Sequence, residues 1–167
     1  DPGSVLLPEK KRFMNLVSAR KPFGLATNFR VRSEKRKNDV VAYWNGGPGF
    51  KQGGVGFVSL ADLTDGIGLI DSFPKAVLGR PFVGEPDSVS TETYICIGPC
   101  KSEVEAKNIC SYIACKLMRF LVMLHKPSQH ATKKVYTFVP TQDFFKPWTD
   151  QKLYAKYGLT KKEIAFV

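Results

Sequence analysis

The sequence contains few of the residues that build metal and nucleophile sites. Two histidines and four cysteines occur among its 167 residues. The cysteines are Cys96, Cys100, Cys110 and Cys115. They do not follow a Cys-x-x-Cys zinc spacing, and on a helix the last two would point about 140° apart. We therefore expect reduced, partly buried thiols in a cytoplasmic protein.

Long apolar runs and nucleotide-binding motifs are absent as well. No apolar run approaches the roughly 18 residues that cross a bilayer, so we expect no membrane association. Residues 1–12 form a polar lead-in without signal-peptide order, and the last residues stop within an apolar helical pattern. These ends suggest a fragment of a larger protein. No Gly-x-x-x-x-Gly-Lys motif is present, so the glycine-rich stretch 45–56 is interpreted as a flexible hairpin tip that follows a groove.

Acidic residues are also scarce. The chain has 15 Asp and Glu against 25 Lys and Arg, and its net charge is +10. Such an excess usually has an anionic partner, most often nucleic acid, although an inert basic surface is the alternative. A metal-dependent nuclease would need several carboxylates around a lysine. Asp87, Glu92 and Asp143 are candidates, but Glu92 is not part of a Glu-x-Lys pair.

The segment 89–126 carries the strongest structural pattern. Alternation from Val89 to Ile97 predicts a strand, which Gly98 and Pro99 end. Ser102 and Glu105 have the spacing of a capping box. Apolar residues then recur at three- and four-residue steps, which predicts one long amphipathic helix with a basic outer face that includes Lys126.

The rest of the chain predicts shorter elements. A short helix is expected to end near Ser18, and two C-terminal helices (150–157 and 160–166) to be separated by Gly158. Thr160 and Glu163 have the spacing of a second capping box. Strands are expected at 28–32, 40–44, 55–60, 76–78 and 135–139, with the second and third forming a hairpin. The prediction is one α+β domain over residues 1–167. It has a mixed or antiparallel twisted sheet, one long helix and a C-terminal helical pair, 150–167.

Residues 18–38 concentrate positive charge, with Phe23 and Phe29 interleaved for stacking or packing. This pattern favours a phosphate-binding surface, and a solvated loop beside a charge-protected edge strand is the alternative. The candidate phosphate contacts are Arg20, Lys21, Arg30, Arg32, Lys126, Lys133 and Lys134. The candidate base-edge contacts are Asn28, Gln129 and His130, because amides and imidazoles both donate and accept hydrogen bonds.

Four stretches carry a family resemblance: SARKPFGLATNF (18–29), GRPFVGEPDSVSTETYICIGP (79–99), the segment 116–144 with KKVYTFVPTQDF, and DQKLYAKYGLTKKEIAFV (150–167). In this order they resemble the C-terminal part of bacterial type II restriction–modification adenine-specific DNA methyltransferases. That family includes combined restriction–modification methylases. The resemblance implies a target-recognition domain, similar to a TaqI-like specificity domain, that binds double-stranded DNA.

The resemblance also implies a division of labour. A catalytic methyltransferase domain of the same polypeptide would bind S-adenosylmethionine and methylate adenine N6 with an Asn-Pro-Pro-Tyr-type motif. That motif does not occur here, so this chain is expected to bind no cofactor and to be no enzyme. An alternative role for residues 150–167 is packing against that catalytic domain. The rival functions are a metal-dependent restriction endonuclease domain and a protein-interaction module of the same system.

Overall fold

A computed structural model describes residues 7–44, 54–59, 63, 81–126 and 131–167. These ranges contain helices and a small three-stranded sheet, so the fold is α+β, as predicted. Within them, no helix combines the length and the apolar character needed to cross a membrane.

The sheet is mixed and has the order β2-β1-β3. Strand β1 (Asp39–Trp44) pairs antiparallel with β2 (Gly54–Ser59) and parallel with β3 (Val89–Ser90). The predicted hairpin is confirmed. Its glycine-rich connection, 45–53, and the predicted strand at 76–78 lie outside the described residues.

The strand predicted from Val89 to Ile97 is wrong beyond its second residue. After Ser90 the chain turns, and the N–H of Tyr94 donates to the carbonyl of Thr91 at 3.1 Å. Ile97 then forms an antiparallel bridge with Val17. Burial does not alternate either, because the neighbours Val89 and Ser90 are both buried and so are Cys96 and Ile97. The strand predicted at 28–32 is likewise reduced to one bridge, between Arg32 and Phe57.

The predicted long helix is two helices, α1 (Glu103–Ala114) and α2 (Lys116–Leu124). Cys115 separates them with an extended backbone (φ −66°, ψ 141°). The N–H of Lys116 leaves the helical pattern and donates to the carboxylate of Asp150 at 2.7 Å. The break therefore depends on a residue far along the chain, while the apolar periodicity continues across it.

Helix caps agree in part with the predicted capping boxes. The Thr160 hydroxyl accepts from the N–H of Glu163, and the Glu163 carboxylate accepts from the N–H of Thr160, so this box is complete. Ser102 accepts from the N–H of Glu105 as expected. The Glu105 carboxylate, however, accepts from the N–H of Lys101 at 2.6 Å, one residue earlier than in a capping box.

The last two helices are confirmed as α3 (Asp150–Tyr157) and α4 (Lys161–Phe166). Gly158 ends α3 with φ 64°, a conformation that glycine adopts without steric cost.

Short 3₁₀ helices occur at Glu9–Lys11, Phe13–Leu16 and Lys133–Tyr136. The second confirms the short helix expected before Ser18. The third contradicts the strand predicted at 135–139. Its N–H groups donate three residues back, for example from Val135 to the carbonyl of Thr132 at 3.0 Å. The adjacent side chains of Val135 and Tyr136 are both buried, which a half-buried strand would not allow.

Two hydrophobic cores hold the described residues together. The helix-side core gathers apolar residues of α1, α2, α3 and the 3₁₀ segments around Phe13, Tyr112 and Tyr136. The sheet-side core comprises Phe23, Leu25, Ala42, Val58, Val89 and Cys96. The two are linked where the N–H of Ser18 donates to the carbonyl of Cys96 at 2.8 Å and the Ser18 hydroxyl accepts from the N–H of Cys96.

Candidate nucleic-acid interface

The basic loop 20–30 is anchored to the sheet-side core. Phe23 and Leu25 are almost fully buried there, and Phe29 packs partly against the same core. Phe23 is therefore a packing residue and offers no free ring for stacking. The anchors leave Arg20, Lys21, Asn28 and Arg30 exposed. Four of the predicted site residues thus project from one loop whose apolar side chains fix its path.

Glu92 contacts this loop through both its backbone and its carboxylate. Its backbone N–H donates to the carbonyl of Leu25 at 2.9 Å. Its carboxylate accepts the Thr27 hydroxyl at 2.9 Å and pairs with the Arg20 guanidinium at 3.6 Å. The Thr27 hydrogen bond, reinforced by the charges of Arg20 and Lys21, lowers the pKa of Glu92. The carboxylate therefore stays ionised and holds the loop.

Arg32 has an internal partner. Its guanidinium donates to the carboxylate of Asp39 at 2.5 Å, and the N–H of Arg36 donates to the other carboxylate oxygen at 2.9 Å. The hydrogen bond from Arg32 holds the pKa of Asp39 below its ordinary value. Since the Asp39 side chain is 2% exposed, this pair fixes the start of β1. Arg32 thus differs from its exposed neighbours among the predicted phosphate contacts.

A second basic group lies on the helix-side core. Lys133 and Lys134 are exposed on their 3₁₀ helix, and Lys126 is half-buried just after α2. The rings of His125 and Phe138 stack with centroids 3.9 Å apart, which joins the end of α2 to the turn after Lys134. Gln129 and His130, the other predicted contacts of this region, lie outside the described residues. The predicted site residues therefore fall into two groups, each on a different core.

A third basic surface was not predicted from the sequence. It consists of Phe145, Lys146, Trp148, Lys156 and Tyr157, and we name it the aromatic–lysine cluster. The Lys156 ammonium lies 4.9 Å from the Trp148 ring centroid and 5.8 Å from that of Tyr157. Phe145 is 89% exposed. The signal available in the sequence was the interleaving of aromatic and basic residues in Phe145-Lys146-Pro147-Trp148.

Of the three carboxylates considered for a nuclease, two make structural hydrogen bonds and one lies in an exposed turn. Glu92 holds the basic loop, and Asp143 accepts the N–H of Phe145 at 2.8 Å. Asp87 occupies an exposed turn with φ 58°. In the part of the chain that the structure describes, no three His, Cys, Asp or Glu side chains come close enough to hold a metal ion together.

Cys96, Cys100 and Cys115 are free thiols, and Cys96 and Cys115 are buried. Burial raises the pKa of Cys96, Cys100 and Cys115 to about 11. A thiol with so high a pKa is almost fully protonated near neutral pH, and these three are poor nucleophiles.

A cavity of about 1060 Å³ lies between the loop 83–89 and the start of α1. The described residues that line it are mainly apolar, with three carboxylates (Glu85, Asp87 and Glu103) against one amine, Lys101. This excess of negative charge does not suit a phosphate backbone. The cavity lining therefore differs from the basic surfaces in the sign of its charge.

Comparison with known proteins gave no relative: no family model, no curated protein and no solved structure matches this chain.

Proposed function

We propose that this chain binds double-stranded DNA as the target-recognition domain of a type II restriction–modification adenine-N6 DNA methyltransferase. The observation that carries DNA binding is the exposed basic loop 20–30, whose cations are held in place by a buried apolar anchor and an ionised Glu92. The net charge of +10 supports a polyanionic partner. The assignment to a methyltransferase rests on the sequence resemblance.

In this proposal the cations fix the register of the duplex and a few polar side chains select bases. Arg20, Lys21 and Arg30 contact phosphates on one side, and Lys133 and Lys134 on the other. Phosphate contacts position a protein but carry no direct sequence information. Asn28, Gln129 and His130 would supply that information at base edges in the major groove.

The chemistry belongs to a separate catalytic domain of the same polypeptide. That domain binds S-adenosylmethionine and transfers the methyl group to an adenine turned out of the duplex. The present chain holds the surrounding DNA while this happens. We also place the protein in the cytoplasm, because Cys96, Cys100 and Cys115 are free thiols, which fits a reducing compartment.

The experiment is a titration of a fluorescent duplex with the purified chain over a range of salt concentrations. Each neutralised phosphate adds about −0.9 to the slope of log affinity against log salt. We expect a slope of about −3.6 or steeper if four or more of the exposed cations act together. Binding without salt dependence would contradict the proposal, and cleavage of the duplex that requires Mg²⁺ would favour the endonuclease alternative.

A further inference from the structure

Two adjacent phenylalanines have opposite environments. Phe144 is 8% exposed and packs edge-to-face against Phe13 in the helix-side core. Phe145, the next residue, is 89% exposed. Transfer of an apolar ring from water into the protein interior is favourable. Other contacts of this turn must therefore keep the Phe145 ring exposed.

Hydrogen bonds from both sides hold this turn. The Asn108 side chain donates to the carbonyl of Phe144 at 2.7 Å, and the carboxylate of Asp143 accepts the N–H of Phe145 at 2.8 Å. The Trp148 indole donates to the carbonyl of Asp143 at 2.7 Å, and the backbone N–H of Trp148 donates to the Ser111 hydroxyl at 2.9 Å. Asn108 and Ser111 belong to α1. Phe145 thus projects from a rigid turn that is fixed to a helix.

The surroundings of this ring are positive. Lys146, Lys152 and Lys156 are exposed. The ammonium of Lys152 donates to the Pro147 carbonyl at 2.7 Å and that of Lys156 to the Gln142 side-chain oxygen at 2.6 Å. An ammonium has three N–H donors, so each of these two lysines keeps donors for a phosphate. Asp143 and Asp150 accept the N–H groups of Phe145 and Lys116 and keep their negative charge, so three lysines face two carboxylates around this turn. A partner for this surface must offer a flat apolar face together with negative charge. A nucleobase with its flanking phosphates combines these two properties.

We propose that Phe145 stacks on a nucleobase that is not held in the duplex stack, while Lys146, Lys152 and Lys156 contact the flanking phosphates. This inference rests on the proposed DNA binding and adds a specific substrate feature to it. Aromatic side chains that stack on bases accept any base, because every base has a π-face. Phe145 and these three lysines therefore recognise an unstacked position and not a sequence.

The test compares two fluorescent duplexes of the same sequence, one fully paired and one with a single unpaired central nucleotide. Wild-type protein should bind the second duplex more tightly. Phe145→Ala should weaken binding to it by about five-fold to a hundred-fold, the range found for losing one base–aromatic stack. Its salt dependence should stay unchanged because no cation is removed. Phe145→Tyr, which keeps an aromatic ring, should retain the tighter binding to the duplex with the unpaired nucleotide.

Val104→Ala is the matched control, since Val104 is an exposed apolar residue on α1. It should behave as wild type on both duplexes. Thermal unfolding of each variant confirms that the fold is intact, which the 89% exposure of Phe145 leads us to expect. If Phe145→Ala matches wild type on the unpaired duplex, the stacking role is wrong and the ring serves another partner, such as a protein. If wild type binds neither duplex, the proposed function itself fails.

Discussion

The carboxylate of Asp150 accepts a hydrogen bond from the backbone N–H of Lys116 at 2.7 Å. Lys116 is the first residue of α2 and Asp150 the first residue of α3. An acidic side chain at a helix N-terminus satisfies an orphan N–H and interacts favourably with the helix dipole. One carboxylate therefore starts α2 and fixes the position of α3 against it.

Asp150→Ala should reduce the free energy of unfolding by about 1 kcal/mol, the usual effect of removing a helix-capping side chain. Asp150→Asn should lose less, because the amide oxygen still accepts the hydrogen bond while the charge is gone. Urea denaturation of both variants measures the difference. Equal stability of the alanine variant and wild type would show that the hydrogen bond from Lys116 to Asp150 does not stabilise the fold.

Gly56 of β2 lies where a side chain has no room. A Cβ there would come within 2.7 Å of the Arg32 carbonyl oxygen, and closer still to the Val31 side chain. Gly56→Ala should therefore destabilise the fold by about 1–3 kcal/mol, the usual cost of overpacking. Gly54→Ala is the control, since its Cβ would meet only the Trp44 indole at 3.4 Å. Thermal unfolding should separate the two variants, and equal melting points would contradict the packing of loop 31–32 on β2.

The Asp39–Arg32 pair should make stability depend on acid pH. The pKa of Asp39 is lowered in the folded protein, mainly by the hydrogen bond from Arg32, so the unfolded chain takes up the proton first as pH falls. The contribution of the pair is complete above the ordinary pKa of 3.8 and is lost as pH falls through the folded value. The difference in unfolding free energy between wild type and Asp39→Asn should stay constant down to about pH 5 and shrink as pH falls further. A difference that stays constant with pH would contradict this role.

Glu92 offers a test in which electrostatics and structure predict opposite results. Removing a negative charge from a DNA-binding surface should by itself strengthen binding. Because Glu92 holds Arg20 and Thr27 in place, Glu92→Ala should instead weaken duplex binding. Glu92→Gln keeps an acceptor for Thr27 and should bind at least as tightly as wild type. Tighter binding by the alanine variant would show that the loop does not need this carboxylate.

Local patterns predicted the elements whose stabilising contacts are local. Alternation of apolar residues located the β1–β2 hairpin, because one face of each strand is buried. Thr160 with Glu163, and Gly158 with its positive φ, bounded the C-terminal helices through contacts within a few residues. These patterns depend only on neighbouring residues, and the structure contains the elements that they predict.

Features set by distant contacts could not be predicted in this way. The break between α1 and α2 depends on Asp150, 34 residues beyond Lys116. The residues at 135–139 are compatible with a strand and also with a buried 3₁₀ turn. The chain adopts the turn, in which Val135 and Tyr136 are both buried. Nothing in the local sequence separates Phe144, which is buried, from Phe145, which is exposed. Phe144 is held by distant residues: the Asn108 side chain of α1 donates to its carbonyl, and its ring packs on Phe13.

The most direct test of DNA binding compares the salt dependence of duplex affinity in three proteins. These are wild type, the double variant Lys21→Ala/Arg30→Ala, and Lys107→Ala. Lys107 is an exposed lysine that pairs with Glu103 on α1, outside the proposed interface. We predict that the double variant lowers the magnitude of the log–log slope by about 1.8, or 0.9 for each lost phosphate contact, while Lys107→Ala leaves it unchanged. Equal slopes for all three proteins would contradict the account.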